Sequence, residues 1–344
     1  MPEPPPLRGI LVGLGTMGSY HLRVLSAESG IEIVGVVDPN EERRRTARTG
    51  APGFAAFGDA LARTEADFAC IAAPVDVLPD LAHQALDAGL ATLVEKPMAP
   101  AEDAAASLVA RAGALDLSLA VGHVERCNPA VIALKDRLDG GDFGQIYQVH
   151  ARRLSPFPLR ESMTGVAHDL ATHDIDIIRY LTGSEVDRVY AETLCRSGDG
   201  PEDLLSASLR LSSGSTGLLE VNWLTPTKVR ELTVTTEAGL FVVNYLTQDL
   251  LFYDNPRADN EWDSLANLRG TGEGDVTRFA ITRREPLVVE WERFLASVRG
   301  TGEPAASGHD GLAALSCAQA IQRSGAEHSP VRPLHRGDRV AARR

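Results

Sequence analysis

The chain has 344 residues, 44% of them hydrophobic and 24% charged, enough to bury two cores of ordinary size. Its formal net charge of -13 excludes a general polyanion binder, because nucleic acid requires a basic face. No apolar run approaches a membrane span and the proline-rich leader MPEPPP carries no secretion pattern, so the expected location is the cytoplasm. Cys70, Cys127, Cys195 and Cys317 are scattered without a C-x-x-C pair and read as buried or inert thiols.

The stretch RGILVGLGTMGSYHLRVL reads as an apolar strand, a glycine turn and an amphipathic helix. Gly13, Gly15 and Gly18 fit G-x-G-x-x-G, with Thr16 and Met17 inside it; such glycines permit a tight turn under a pyrophosphate at a helix amino end. A second strand, IEIVGVVD, ends in Asp38, twenty residues beyond Gly18, where an acid holds the adenosine ribose. That carboxylate favours NAD over NADP, while Arg43, Arg44 and Arg45 either accommodate a 2'-phosphate or form a solvated first helical turn. ADFACIAAP and ATLVEKP continue the strands, DVLPDLAHQALDAGL and AEDAAASLVARAGAL the helices, and LSLAVGH closes a βαβ series near residue 120. Glu95 and Lys96 end the ATLVEKP strand, so Lys96 is expected to face the cofactor crevice at the carboxyl ends of the strands. Of 34 basic residues only Lys96, Lys135 and Lys228 are lysine, which sets this one apart from a general surface role.

In HDLATHDIDIIRYLTG, Leu170, Ile177, Ile178 and Leu181 recur at helical intervals, placing Asp169 and His173 one turn apart on one face. A carboxylate there can orient an imidazole that takes a proton from a substrate hydroxyl; the alternative is a polar pair lining an interior helix. From Gln145 onward QIYQVHARRL, RVYAETLC, LLSASLRLS, TGLLEVNWL, RELTVTTEA and LFVVNYLTQDLLFY read as strands of a largely antiparallel sheet with one open face. Residues 254 to 286 read as a long loop, a candidate lid, followed by helices at EWERFLASVRG and HDGLAALSCAQAIQRSG and a loose basic tail, HRGDRVAARR. Arg152, Arg153 and Arg160 border the SPFP turn and either clamp a diphosphate or form ion pairs on a strand edge; the acidic chain suits a cationic substrate instead. Asn128 and Asp176 are candidate sugar-hydroxyl partners or structural residues. His123, His150 and His168 fit no common zinc spacing, and no metal is expected.

Taken in order, GLGTMG, VVDP, IAAP, VEKPM and DLATHDID resemble the Gfo/Idh/MocA oxidoreductase family over nearly the whole chain. The resemblance implies an α/β fold. An N-terminal Rossmann dinucleotide-binding domain is expected over residues 7–122. A C-terminal α/β domain over 123–344 is expected to carry a large, mostly antiparallel sheet that binds substrate and makes homo-oligomer contacts, as a dimer or tetramer. It further implies NAD(P)-dependent interconversion of a secondary hydroxyl and a ketone on a sugar ring, with Lys96, Asp169 and His173 as the catalytic group. GHVERCNPAV, RRLSPFPLR and NWLTPTKVRELTV resemble the branch that acts at the 3-position of nucleotide and amino sugars, including aminoglycoside antibiotic biosynthesis. One run departs from the family pattern, TGVAHDLATH, which lacks the glycine-rich run common before the aspartate; Cys127 and the Leu154–Ser155 pair depart from the pattern of the branch. Reduction of a keto-aminoglycoside with NADPH is the alternative chemistry, and a sugar or dinucleotide sensor without turnover is the alternative class.

Overall fold

The computed structural model describes residues 5–47, 49–157, 164–196, 198–255 and 274–334. Two compact units are present: Met1–Cys127 with Glu285–Ser316, and Asn128–Arg284 with Cys317–Arg344.

In the first unit, β1 (Leu7–Val12), β2 (Ile31–Val37), β3 (Gly53–Phe54), β4 (Phe68–Ile71), β5 (Ala91–Val94) and β6 (Leu119–Val121) pair in parallel, in the order β3-β2-β1-β4-β5-β6. Strand order reverses beside β1, which is the switch point where such sheets bind ligands at their carboxyl ends. The strands are apolar throughout because both faces are covered, and Ile10, Leu11 and Val12 are all buried. On one face Ile10, Ile71 and Val94 pack with α3 (Phe57–Arg63), α4 (Leu78–Asp87) and α5 (Glu102–Leu115). On the other, Leu11, Phe68 and Leu93 meet Leu22 and Leu25 of α1 (Thr16–Ala27). A short helix, α2 (Glu41–Thr46), follows β2.

The first unit is not contiguous in sequence, in contrast to the expected boundary near residue 122. The helix expected at EWERFLASVRG extends over Pro286–Val298 and packs Trp291, Phe294 and Leu295 into the core holding Phe68. Trp291, Phe68 and Phe294 form a cluster with ring centroids 5.6 to 5.8 Å apart. Each such side chain contributes roughly 1.5–3 kcal/mol on burial, so this apolar helix stripe is drawn to the uncovered sheet face.

The second unit carries α6 (Pro129–Asp139), α7 (Thr172–Thr182) and eight strands. These are β7 (Ile146–Leu154), β8 (Val186–Leu194), β9 (Leu204–Leu211), β10 (Thr216–Asn222), β11 (Val229–Thr236), β12 (Gly239–Asn244), β13 (Asp249–Asp254) and β14 (Val276–Phe279). Their order is β14-β13-β12-β11-β7-β10-β9-β8, antiparallel except for the central β7–β10 pair. Alternation along β9 buries Leu205, Ala207, Leu209 and Leu211 and leaves Ser206, Ser208 and Arg210 exposed, so one sheet face is covered and the other open. The run LFVVNYLTQDLLFY is a hairpin, β12 turning into β13, because the Asn244 side chain accepts from the amides of Leu246 and Thr247 at 3.0 Å and turns the chain. Val276–Phe279, expected within a loop, is an edge strand on β13; residues 256–273 of the candidate lid and the basic tail lie outside the described residues. The last helix, α9 (Gly308–Glu327), is divided between the units after Ser316. Among the described residues no helix is long and apolar enough to cross a membrane.

Candidate active site

The glycine turn between β1 and α1 has a separate reason for each glycine. Gly13 has φ +90°, and a Cβ there would overlap the Ala72 carbonyl. A Cβ on Gly18 would overlap the carbonyl oxygen of Gly13 itself. Gly15, the N-cap of α1, has nothing within 4 Å of its Cβ position, leaving open space in front of a helix amino end. Thr16 and Met17 are exposed in the first turn of that helix. This cradle fits a pyrophosphate, and the contrast is testable. Gly15→Ala is expected to keep wild-type stability yet weaken NAD binding, whereas Gly18→Ala is expected to lose both, at about 1–3 kcal/mol of overpacking. Unchanged NADH fluorescence titration of Gly15→Ala would remove the turn from the cofactor site.

Asp38, 2% exposed at the end of β2, accepts from the Leu14 amide at 2.8 Å and from the Asn40 amide at 2.8 Å, tying the acid to the glycine turn. The nearby arginines are engaged internally. Arg43 lies 3.6 Å from the Asp38 carboxylate, Arg44 donates to the carbonyls of Asp38 and Pro39, and Arg45 pairs with Glu42. In this arrangement they serve the turn and α2.

Glu95 and Lys96 follow β5 directly, at the carboxyl end of the sheet, and the Lys96–Pro97 peptide is cis. Oε2 of Glu95 accepts from the Lys96 amide at 3.1 Å, and Oε1 is 2.8 Å from Nε2 of His21. Burial pushes the Glu95 carboxyl up, but the hydrogen bond from His21 and the charge of Lys96 outweigh it and hold it below the ordinary carboxylate range. His21 and its partner Trp291 escaped the sequence reading; so did Glu290, a buried carboxyl on the Pro286–Val298 helix (α8).

In the second unit, Ala167–Ala171 forms a π-helical turn leading into α7. Asp169 sits in that wider turn and His173 in the first turn of α7, both half-buried, so the plain α-helical spacing expected between them does not hold. Glu202, also missed from sequence, fastens the entry: its carboxylate accepts from the Ala167 amide at 2.9 Å, and a Cβ on Gly165 would overlap it. Burial pushes the neighbouring His168 imidazole down, against the charge of Glu202.

Arg153 of β7 grips Asp174 of α7 with two bonds, 2.7 and 2.9 Å, both side chains being almost fully buried. Its fork is spent on holding the helix next to His173, and Arg152 pairs with Glu220 and Glu231 on the open sheet face. Arg160 lies outside the described residues. Asn128, 1% exposed, caps α6 by accepting from the Ala130 amide and donates to the Tyr245 carbonyl at 3.0 Å, which is the work of a structural amide. Asp176 is fully buried in α7. Among the described residues no group of three or more metal-ligand side chains is assembled.

A parallel sheet with a phosphate-binding turn, an acid at the second strand and a lysine at the fifth define a dinucleotide-dependent oxidoreductase. Residues 7–123 match the family model described as "Oxidoreductase family, NAD-binding Rossmann fold", and residues 131–242 match the "GFO/IDH/MocA C-terminal domain". The inositol 2-dehydrogenase of Corynebacterium glutamicum is 30% identical over 226 residues, 63% of this chain and 67% of that one. The chain belongs to the Gfo/Idh/MocA family of oxidoreductases, with an NAD-binding Rossmann domain. The UDP-N-acetylglucosamine 3-dehydrogenase of Acidithiobacillus ferrooxidans is 27% identical over 294 residues, 85% of this chain and 88% of the relative. A solved structure of UDP-N-acetylglucosamine 3-dehydrogenase from the same organism superposes with a TM-score of 0.81 at 25% identity, covering 93% of this chain and 98% of the other.

Proposed function

We propose that the protein is a sugar dehydrogenase that interconverts a ring hydroxyl and a ketone at the 3-position of a nucleotide sugar or amino sugar, with NAD as cofactor. The observation that carries this reading is the similarity to a UDP-N-acetylglucosamine 3-dehydrogenase along 85% of the chain; Lys96 stands in this chain's VEKPM run and Asp169 and His173 in its DLATHDID run. Gly13, Gly15, Thr16, Met17, Gly18 and Asp38 would hold the dinucleotide, and when bound NAD supplies the acceptor for the hydride of the carbinol carbon. His173 takes the hydroxyl proton, Asp169 orients the imidazole and stabilises its charged form, and Lys96 donates a hydrogen bond to the reacting oxygen as it gains charge. Reduction reverses each step.

A second reading has its own support. With Arg153 committed to Asp174 and Arg152 to Glu220 and Glu231, these arginines do not stand as a ready diphosphate clamp. A net charge of -13 suits a cationic aminoglycoside as substrate, and on this reading the reaction belongs to antibiotic biosynthesis. Nicotinamide absorbance against UDP-N-acetylglucosamine, UDP-glucose and aminoglycosides with NAD and NADP, and against keto forms with reduced cofactor, separates the two. Turnover on the nucleotide sugars supports the first reading, turnover on aminoglycosides alone the second. Silence throughout with NAD bound would favour a sensor. We also propose a homo-oligomer, because half-exposed Leu218, Val242 and Leu251 stand in one register row of the open sheet face. Light scattering is expected to give a dimer or tetramer, and a monomer mass would overturn this.

A further inference from the structure

A chain of directed hydrogen bonds runs through the interior of the first unit. It ends on the backbone of Lys96. The indole Nε1–H of Trp291 donates to Nδ1 of the fully buried His21 at 3.0 Å, with the two rings T-shaped at 5.6 Å. Burial disfavours a second proton on this imidazole, while Cys70 and Glu95 favour it and on balance push the ring well above its ordinary range; the Trp291 donor overrides that pull, because an indole N–H can only donate and needs the Nδ1 lone pair that a second proton would occupy. The ring's single proton is therefore on Nε2, which donates to Oε1 of Glu95 at 2.8 Å. The remaining oxygen of Glu95 accepts from the Lys96 amide. A Cβ on Gly122 would stand 3.1 Å from the Glu95 carboxyl, so the wall around that group is closed by a glycine.

Beside this chain lies a second carboxyl that the reaction does not use. Glu290 precedes Trp291 in α8 and is 3% exposed, and both its side-chain oxygens are buried without a hydrogen-bond partner among the described residues. An ionised carboxylate in that setting is costly, so the group keeps its proton. Burial, and after it the charge of Glu95, push it up to about 8. The thiol of Cys70 on β4, itself pushed up by burial, also feels both glutamates.

We propose that Trp291, His21 and Glu95 are a positioning device for Lys96. Trp291 fixes the tautomer of His21, His21 fixes one orientation and one charge state of Glu95, and Glu95 holds the lysine's backbone from behind. Glu290 is the neutral neighbour whose ionisation would disturb the set. The catalytic value of the device rests on the assignment of Lys96 above; its existence does not.

The chain's three lysines make a direct test. Full-length protein labelled with carbon-13 at lysine Cε gives three signals, assigned through Lys135→Arg and Lys228→Arg. At neutral pH, His21→Gln and Trp291→Phe are expected to shift the Lys96 signal and leave the other two in place. In the unsubstituted protein the Lys96 signal is expected to step near the Glu290 ionisation, and Glu290→Gln is expected to remove the step. A Lys96 signal unmoved in both variants, with Lys135 and Lys228 certifying the fold, would overturn the device. Should either variant fail to fold, the presence or absence of the step relative to Glu290→Gln decides. If the signal follows the variants while Lys96→Ala retains full turnover, the catalytic assignment fails and the device stands. If Lys96→Ala abolishes turnover and the signal ignores every variant, the device alone fails.

Discussion

His173→Ala is expected to lower turnover by about two to four powers of ten, the usual contribution of a positioned general base, while NAD affinity stays at the wild-type value. The dinucleotide cradle belongs to the first unit and His173 to α7 of the second, so binding and proton transfer should separate cleanly in the two readouts. Lys96→Ala is expected to cost about two to three powers of ten, as loss of one donor to a developing oxyanion does. Lys96→Arg should not rescue it, because a planar guanidinium does not replace a compact ammonium at a point contact. Asp169→Asn keeps the side chain's size and removes the charge behind the imidazolium, so its loss should fall mainly on kcat. Wild-type rates in His173→Ala, measured by nicotinamide absorbance on any substrate that turns over, would sink the assignment.

Glu290→Gln is expected to become progressively more stable than the unsubstituted protein as pH rises. The folded carboxyl stands at about 8 against an ordinary value of 4.5. Below the ordinary value both folded and unfolded chains carry the proton, and the glutamate costs nothing. Between the two values the unfolded chain releases its proton and the folded one does not, so folding loses about 1.4 kcal/mol for each pH unit crossed. Above the folded value the loss stops growing. The glutamine does not titrate, and its margin should widen through this window and then level off. Urea midpoints across the window, followed by tryptophan emission, give the comparison; parallel curves for the two proteins would mean that Glu290 is not protonated in the fold.

What the sequence disclosed follows from the range of the interactions involved. The glycine turn, Asp38 and Glu95–Lys96 are legible because each is set by neighbours within one strand and its turn. The alternating pattern of β9 likewise announces a half-covered sheet without reference to anything distant. The π turn at Ala167–Ala171 is not legible, since Leu170, Ile177, Ile178 and Leu181 satisfy a helical period whether or not one turn is widened. Arg153 looks like an open clamp until the fold places Asp174 against it, and the same holds for Asn128 and the Tyr245 carbonyl. His21, Glu95 and Trp291 are 74 and 270 residues apart in their two contacts, beyond the reach of any local pattern. EWERFLASVRG is readable as a helix, but only the sheet face around Phe68 and Leu93 decides which core it completes.

The return of Glu285–Ser316 to the first unit bears on how the protein is made. A chain emerging from its amino end presents the entire parallel sheet long before Trp291, Phe294 and Leu295 exist to cover Phe68. The nascent nucleotide domain must therefore wait, one apolar face covered only in part by α1, while all strands of the second sheet are synthesised. Exposed faces of this kind are what chaperones bind and what aggregation feeds on. A ribosome that stalls before residue 285 releases a product that is nearly complete in length and still lacks the layer that closes its first domain.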